Sequence, residues 1–394
     1  MPVPTRLDRV RGSLLGLAIG DALGAPLEGL SPQQIRAHYQ LVTDYVDGAK
    51  AWKRKPFRWR LPGLYTDDTQ QALAVIDVLL ASGRVDVDRL AATYVALATP
   101  DLGYAGAHRG VGKSFREVLA ALRRGASPRE TGQASVGIGA AMRIAPVGLF
   151  HADDPDALFA AVMDTSLMTH RDVRSLAGAL AVALAVARLV AGAGRDPSFA
   201  LWLASDVAKA EERVAAEFAG RVDSLDGHRR SLSAAIARVE SLLEMPRDRA
   251  LAALVEGANR HGPESPVRRA TQGFPPSCIP TCLYLLLTTD SLEEALVDVV
   301  NLGGDADSAG AILGAMAGAH YGVEAIPSRW LVGLHNREAI DARATAVHRK
   351  SARGLEIPAL VVREQELSAR EVANREALLS HPPYGGDLGA NRRI

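Results

Sequence analysis

Apolar residues recur at helical spacing along almost the whole chain, with alanine and leucine dominant from end to end. Few runs alternate apolar and polar positions or concentrate β-branched residues as strands do. The pattern predicts an all-α protein, mostly one domain. Residues 11–24, RGSLLGLAIGDALG, read as an apolar helix in which Gly12, Gly16, Gly20 and Gly24 fall at every fourth position. A glycine inside a helix costs about 1 kcal/mol, so a ridge of them predicts another backbone packed closely against that face. A second apolar helix starts near Asp68 and runs to about residue 80, with Asp68 and Gln71 spaced as in a capping box. Residues 134–148, ASVGIGAAMRIAPVG, read as a glycine-containing turn opening a helix that Pro146 ends. An alanine-rich helix follows Met168-Thr169-His170-Arg171-Asp172, and residues 200–258 read as amphipathic helices with a break at 223–227. Phe274-Pro-Pro-Ser-Cys278-Ile-Pro280 reads as a proline-broken entrance to the apolar segment 281–288. Beyond Arg337 the chain is more charged. The main body is therefore assigned to residues 1–345, and residues 346–394 to a C-terminal extension with a disordered tail, His381-Pro-Pro-Tyr-Gly-Gly.

Composition narrows the function classes. Hydrophobic residues make up 48% of the 394, ample for a globular core, while Lys+Arg and Asp+Glu both total 45. A net charge of zero argues against a general nucleic-acid binder or an acidic-membrane binder. Apolar stretches such as 176–190 fall short of a membrane span and read as core helix. The N-terminus, Met1-Pro-Val-Pro-Thr-Arg-Leu-Asp, lacks the basic and apolar regions of a signal peptide. Cys278 and Cys282 have no Cys/His cluster beside them, so they read as reduced thiols of a cytoplasmic protein. Residues 48–63, GAKAWKRKPFRWRLPG, interleave Trp52, Phe57 and Trp59 with Lys and Arg. A nucleic-acid patch has that look, but a single such run in a neutral chain reads better as a surface loop near an anionic ligand.

The chemistry concentrates in two clusters. Asn301-Leu-Gly-Gly-Asp305-Ala-Asp307-Ser308-Ala-Gly310 sets two carboxylates and a hydroxyl after two glycines and before the small-residue run 309–319. Inside a helix Asp305 and Asp307 would face apart. At a turn entering a helix they can converge, with Asp307 or Ser308 as the N-cap. Converging hard oxygens suit Mg²⁺ or Mn²⁺, but an acidic cap favoured by the helix dipole explains this cluster alone slightly better. Tyr65-Thr66-Asp67-Asp68-Thr69-Gln70-Gln71 repeats the theme, and two such clusters in one chain shift the reading towards a cation site. Asp21, in the apolar glycine-rich helix, needs a partner or a metal if buried. Glu28 follows in a loop, and Asp101 sits in a Pro-Asp-Leu-Gly break.

Taken together and in this order, GLAIGDALGAPLEG, TDDTQ, GAAMRIAP, THRD and NLGGDADSAG resemble the ADP-ribosylglycohydrolase family. That group includes dinitrogen-reductase-activating glycohydrolase, the arginine- and serine-ADP-ribose hydrolases, and the J1 crystallins. The likeness spans roughly residues 8–340. It implies a compact orthogonal multi-helix bundle and a binuclear centre of two Mg²⁺ or Mn²⁺ ions. The family's metal ligands fall on Thr66, Asp67, Asp68, Asp305, Asp307 and Ser308, the last commonly a threonine in the family, for which serine keeps the hydroxyl. Glu28 resembles the catalytic acid of serine-specific members, and Asp101 that of the arginine-specific and dinitrogen-reductase members. Ser135, Gly137 and Gly139 match the diphosphate-binding turn, which lacks an asparagine often found there, and His170 matches a histidine near the ligand.

The residues suit that reaction. Cleavage at ribose passes through an oxocarbenium-like state, in which carboxylates serve as acid and base. Two divalent ions about 3.5–4 Å apart can hold vicinal hydroxyls and a water. The expected activity is hydrolysis of ADP-ribose from a modified protein side chain, arginine-type favoured, or from a small acceptor. Two alternatives stand beside it: a catalytically silent ADP-ribose-binding or crystallin-like protein, and a hydrolase of another ribosyl or phosphoryl substrate. The sequence leaves open the linkage, the choice between Glu28 and Asp101, and the oligomeric state.

Overall fold

Close contact between two glycine-ridged helices sets the architecture. The computed structural model describes residues 3–98 and 106–380. Its helices begin with α1 (Arg6–Gly24), α2 (Pro32–Tyr39), α3 (Asp67–Ser82), α4 (Val87–Leu97), α5 (Lys113–Arg123) and α6 (Ala145–Phe150). They continue with α7 (Pro155–Leu167), α8 (Val173–Val190), α9 (Ser198–Glu217), the distorted turn α10 (Leu225–His228), α11 (Ser231–Ala237) and α12 (Arg247–Asn259). The last are α13 (Pro275–Thr288), α14 (Leu292–Asn301), α15 (Ala306–Tyr321), α16 (Ser328–Gly333), α17 (Arg337–Arg349) and α18 (Leu360–Ser380). Among the described residues there is no strand, only the isolated bridges Gln133–His170 and Asp172–Asp223. The fold is all-α, as the periodicity predicts.

Helices α1 and α15 run antiparallel, with Gly12, Gly16, Gly20 and Gly24 against Gly318, Gly314, Gly310 and Ala306. A Cβ on Gly16 would fall 2.3 Å from the Gly314 carbonyl oxygen, and one on Gly314 2.0 Å from that of Gly16. No side chain fits between these backbones. Helices α3, α8, α13, α14 and α17 surround the pair. Antiparallel pairing has a direct consequence for function: it sets the exit of α1, where Glu28 lies, beside the start of α15, where Asp305 lies.

Helix α8 is long and apolar enough to cross a membrane, but 89% of it is buried inside the protein, as a core helix is. Cys278 and Cys282 are free and buried. Three local expectations need correction. Pro146 opens α6 rather than ending a helix, because a residue without an N–H fits the first turn. Helix α13 starts at Pro275 and runs through Pro280. Asp68 is no cap: Thr66 is the N-cap of α3, and the Gln71 amide donates to Asp67 Oδ2 at 2.8 Å, one turn back. At the C-terminal end α17 continues past residue 345, and α18 lies against α3 and α4. The His381 tail falls outside the described residues.

Candidate active site

The first turns of α3 and α15 share one floor because α1 braces both. Asp21 of α1 is fully buried, and its carboxylate accepts from the amides of Thr66 (2.9 Å) and Thr69 (3.0 Å) and from their hydroxyls (2.8 and 2.6 Å). Neither Thr66 nor any other side chain of its own segment caps α3, so Asp21 does so from a neighbouring helix. The start of α15 is fixed through backbone. Gly303 and Gly304 have positive φ, the Gly304 amide donates to Leu30 O (2.9 Å), and its carbonyl accepts from Gly29 N (2.7 Å). Asp305 N donates to Thr271 O at 3.0 Å. Asp305, not Asp307 or Ser308, is the N-cap position, because the glycine turn delivers the chain into the helix two residues before Asp307.

A cleft of about 680 Å³ opens at this end of the bundle. Glu28, Asp67, Asp68, Asp305, Asp307 and Ser308 line it, together with Ser135, Gly137, Gly139 and His170. Thr66 lies beneath, its hydroxyl between Asp21 Oδ1 and Asp68 Oδ2 (3.2 Å). Asp101 falls outside the described residues. Glu28 sits at the mouth, paired with Arg58 at 2.6 Å.

The wall beside the acids is a second built unit, joined to Asp67 through Gln71. Arg143 is buried, donates to Gln71 Oε1 and Thr169 Oγ1, and reaches Thr165 O at 3.1 Å. Thr169 Oγ1 lies 2.8 Å from His170 Nδ1. Burial, reinforced by Arg143, pushes His170 down to about 3, so the imidazole is neutral. Its ring stands against the glycine turn, where a Cβ on Gly139 would come within 3.0 Å of Cε1. Ser175 Oγ pins that turn by donating to Ser135 O (3.0 Å) and Gly137 O (2.9 Å).

Burial raises the floor acids, and their neighbours raise most of them further. Asp67 is pushed up to about 8 by burial, then by Asp21 and Glu28. Burial carries Asp305 to about 6, partly offset by hydrogen bonds from Asp307 and Ser308. Asp68 and Asp307 lie well above the usual carboxylate range, first through burial, then through Asp21 and Glu28 respectively. Among the described residues no three His, Cys, Asp or Glu groups are drawn together tightly enough to hold an ion. The donor set nevertheless fits a hard divalent cation. It is all oxygen, it crowds four aspartates together, and Asp68 Oδ1 is buried with no hydrogen-bond partner.

Several lining residues carry no sequence signal of their own: Arg143, Lys113, Arg268, Arg269 and Gln272. Arg143 stands inside a quoted motif, but nothing in its spacing gives its partners. The other half of the glycine zipper was readable, since Gly310, Gly314 and Gly318 repeat the four-residue spacing of α1.

Comparisons with known proteins give the family and agree with the fold. The family model described as ADP-ribosylglycohydrolase matches residues 2–356. The chain is 28% identical to the ADP-ribosyl-[dinitrogen reductase] glycohydrolase of Rhodospirillum rubrum, covering 85% of this chain and 92% of that protein. It is 29% identical to the ADP-ribosylhydrolase ARH3 of Bos taurus over 87% of this chain and 93% of the other. A solved structure titled "ADP-ribosylglycohydrolase-related protein complex" aligns with a TM-score of 0.61 at 29% identity, covering 88% of this chain and 99% of that one. The chain belongs to the ADP-ribosylglycohydrolase family.

Proposed function

We propose that this protein hydrolyses the glycosidic bond joining ADP-ribose to a modified protein side chain, with an arginine-type linkage favoured. One observation carries the reading: Glu28, Asp67, Asp68, Asp305 and Asp307 line the same cleft as His170 and the 135–139 turn. The arginine preference rests on the Pro-Asp-Leu-Gly setting of Asp101. Relatives named for both the dinitrogen-reductase and the ARH3 activities match at similar identity, so the linkage is part of the proposal.

Thr66, Asp67, Asp68, Asp305, Asp307 and Ser308 would hold two Mg²⁺ or Mn²⁺ ions. Bound there, the ions supply charge neutralisation and a template for vicinal ribose hydroxyls. The chain's own groups do the rest. Exposed amides of the 135–139 turn cradle the diphosphate, and neutral His170 offers Nε2 from beside that turn without adding charge. Asp101 or Glu28 carries the proton, either taking it from the attacking water or giving it to the leaving group. Asp21 holds the first turn of α3 and so aims Asp67 and Asp68.

The test is direct. Incubate the protein with ADP-ribosylated arginine, serine and nucleotide substrates plus Mg²⁺ or Mn²⁺, and follow free ADP-ribose. Release from the arginine linkage above all is the expected result. No release from any member of the panel would overturn the activity.

A further inference from the structure

The basic, aromatic segment 48–63 touches the chemistry above only through Arg58, the ion-pair partner of Glu28. It contains no acid, and Lys50, Lys53, Arg54 and Lys55 are all exposed. Among the described residues none of these four has an ion-pair partner. Phe57, in the same stretch, is 62% exposed. The inner side of the segment is fixed to the mouth of the cleft. Arg58 pairs with Glu28 at 2.6 Å, Trp52 Nε1 donates to Pro26 O at 3.0 Å, and Arg60 N donates to Asp47 O at 2.8 Å. The rim continues with Arg268 and Arg269, which line the cleft, and Arg269 Nη1 lies 3.3 Å from Gly29 O. A carboxyl-lined floor thus lies below a cationic lip, in a chain whose charges sum to zero over its whole length.

We propose that the lip at residues 50–57 docks an acidic stretch of the acceptor protein, next to the modified side chain. This rests on the reading of the cleft as an ADP-ribosyl site. Four cations without an ion pair, of which only Lys55 has a ring partner, complement clustered carboxylates, and exposed Phe57 supplies the apolar anchor that such rims use. The two tryptophans argue against a single-stranded nucleic acid, which needs a run of free stacking faces where this segment offers Phe57 alone. Trp59 is 1% exposed, and the Trp52 ring already has Lys55 at 5.2 Å and Arg58 at 5.3 Å.

The experiment compares wild type with a Lys50→Glu/Lys53→Glu/Arg54→Glu variant and with Phe57→Ser. Each is given the cleaved linkage in three forms: free ADP-ribosylated amino acid, a peptide flanked by glutamates, and a peptide flanked by neutral residues. The lip predicts that the triple variant loses roughly tenfold or more in kcat/KM on the acidic peptide, through KM, and nothing on the free compound. Wild-type KM for the acidic peptide should rise as NaCl goes from about 50 to about 300 mM. Equal handling of acidic and neutral peptides by wild type overturns the proposal, and so does an equal loss on the free compound. Stronger competition by a single-stranded oligonucleotide than by decaglutamate also overturns it. Anisotropy of a labelled decaglutamate peptide reads the lip without turnover. Failure there overturns the docking surface, whereas absence of ADP-ribose release alone overturns only the reading of the cleft.

Discussion

Glu364 of α18 and Arg109, on the segment that follows α4, form an ion pair at 2.7 Å with both side chains almost fully buried. The pair is the centre of a wider network. Glu364 also accepts from Tyr65 Oη (2.5 Å) and Gln70 Nε2 (2.8 Å), and Arg109 donates to Ser368 Oγ (2.8 Å) and Tyr65 O (2.9 Å). Through its backbone Arg109 reaches the site, since its carbonyl accepts from Asp67 N at 2.8 Å. A helix beyond the span of the family model thus supports an acid of the cleft floor.

Removing the charge of Glu364 alone should therefore be worse than removing the pair. Glu364→Gln leaves a buried guanidinium uncompensated, and breaking such pairs costs about 3–5 kcal/mol. Replacing both partners with apolar residues, Glu364→Leu with Arg109→Met, should recover most of that loss. Urea unfolding of the three proteins measures both effects. A single variant within about 1 kcal/mol of wild type would show that the pair contributes little.

Asp21 offers a second test. Asp21→Asn keeps the size of the side chain but turns an NH₂ group towards donors that now lack an acceptor. Each stranded buried donor costs about 1–3 kcal/mol. Stability should fall by roughly that amount, and kcat should fall at temperatures where the variant is fully folded, because the turn carrying Asp67 and Asp68 loses its cap. Unchanged kcat in the folded variant would remove Asp21 from the positioning of the site.

The glycine zipper predicts a contrast between two alanine substitutions. Gly16→Ala drives a methyl into the Gly314 carbonyl, where only backbone can yield, and overpacking of this kind costs about 1–3 kcal/mol or more. Gly220 has open space around its missing Cβ and no positive φ, so Gly220→Ala should stay within about 0.5 kcal/mol. Equal thermal midpoints for the two variants would mean that the ridge is not what sets the α1–α15 approach.

Much of this organisation was legible because it is local. Glycine spacing in α1 gave the close helix contact, and the two acid-and-hydroxyl clusters at helix starts gave the floor of the cleft. The Asp21 carboxylate was legible only as a need for partners. Its four donors sit 45 and 48 positions further along the chain, and no periodicity links them. Glu364 was invisible for the same reason, since an acid on a charged C-terminal helix looks solvated until its partner 255 positions away is known. The supposed cap at Asp68 failed because a helix elsewhere supplies the cap, which frees Gln71 to hold Asp67.

Loss of one floor acid should remove both cation binding and turnover. Asp305→Ala deletes a donor from an already defined oxygen set, and calorimetry should show Mn²⁺ binding lost along with ADP-ribose release. Gly273→Ala gives a gentler form of the same test. A methyl there would meet Asp305 Oδ2 at 2.3 Å and turn that carboxylate aside. Disturbing the support of a ligand typically costs about 10–100-fold in metal affinity or activity. Full activity of Asp305→Ala would end the metal role proposed for it.

His108 gives the fold a defined sensitivity to acid. Its ring is buried, with Nε2 2.9 Å from Tyr94 O and Phe115 at 5.3 Å between centroids. Burial, helped by the neighbouring Arg109 and only partly offset by the hydrogen bond to Tyr94 O, leaves it pushed down to about 4. The unfolded chain binds a proton near the usual histidine value of about 6.5, and the folded state refuses it until about 4. Between those values the unfolded state holds more protons, so stability falls as the pH drops. The full difference is on the order of 3 kcal/mol. His108→Gln can still donate to Tyr94 O but has no such titration. Unfolding free energies from about pH 7.5 down to about pH 4.5 should therefore decline less steeply in the variant. Parallel curves would mean that His108 takes up its proton equally in both states, and the acid sensitivity would have to come from another buried group.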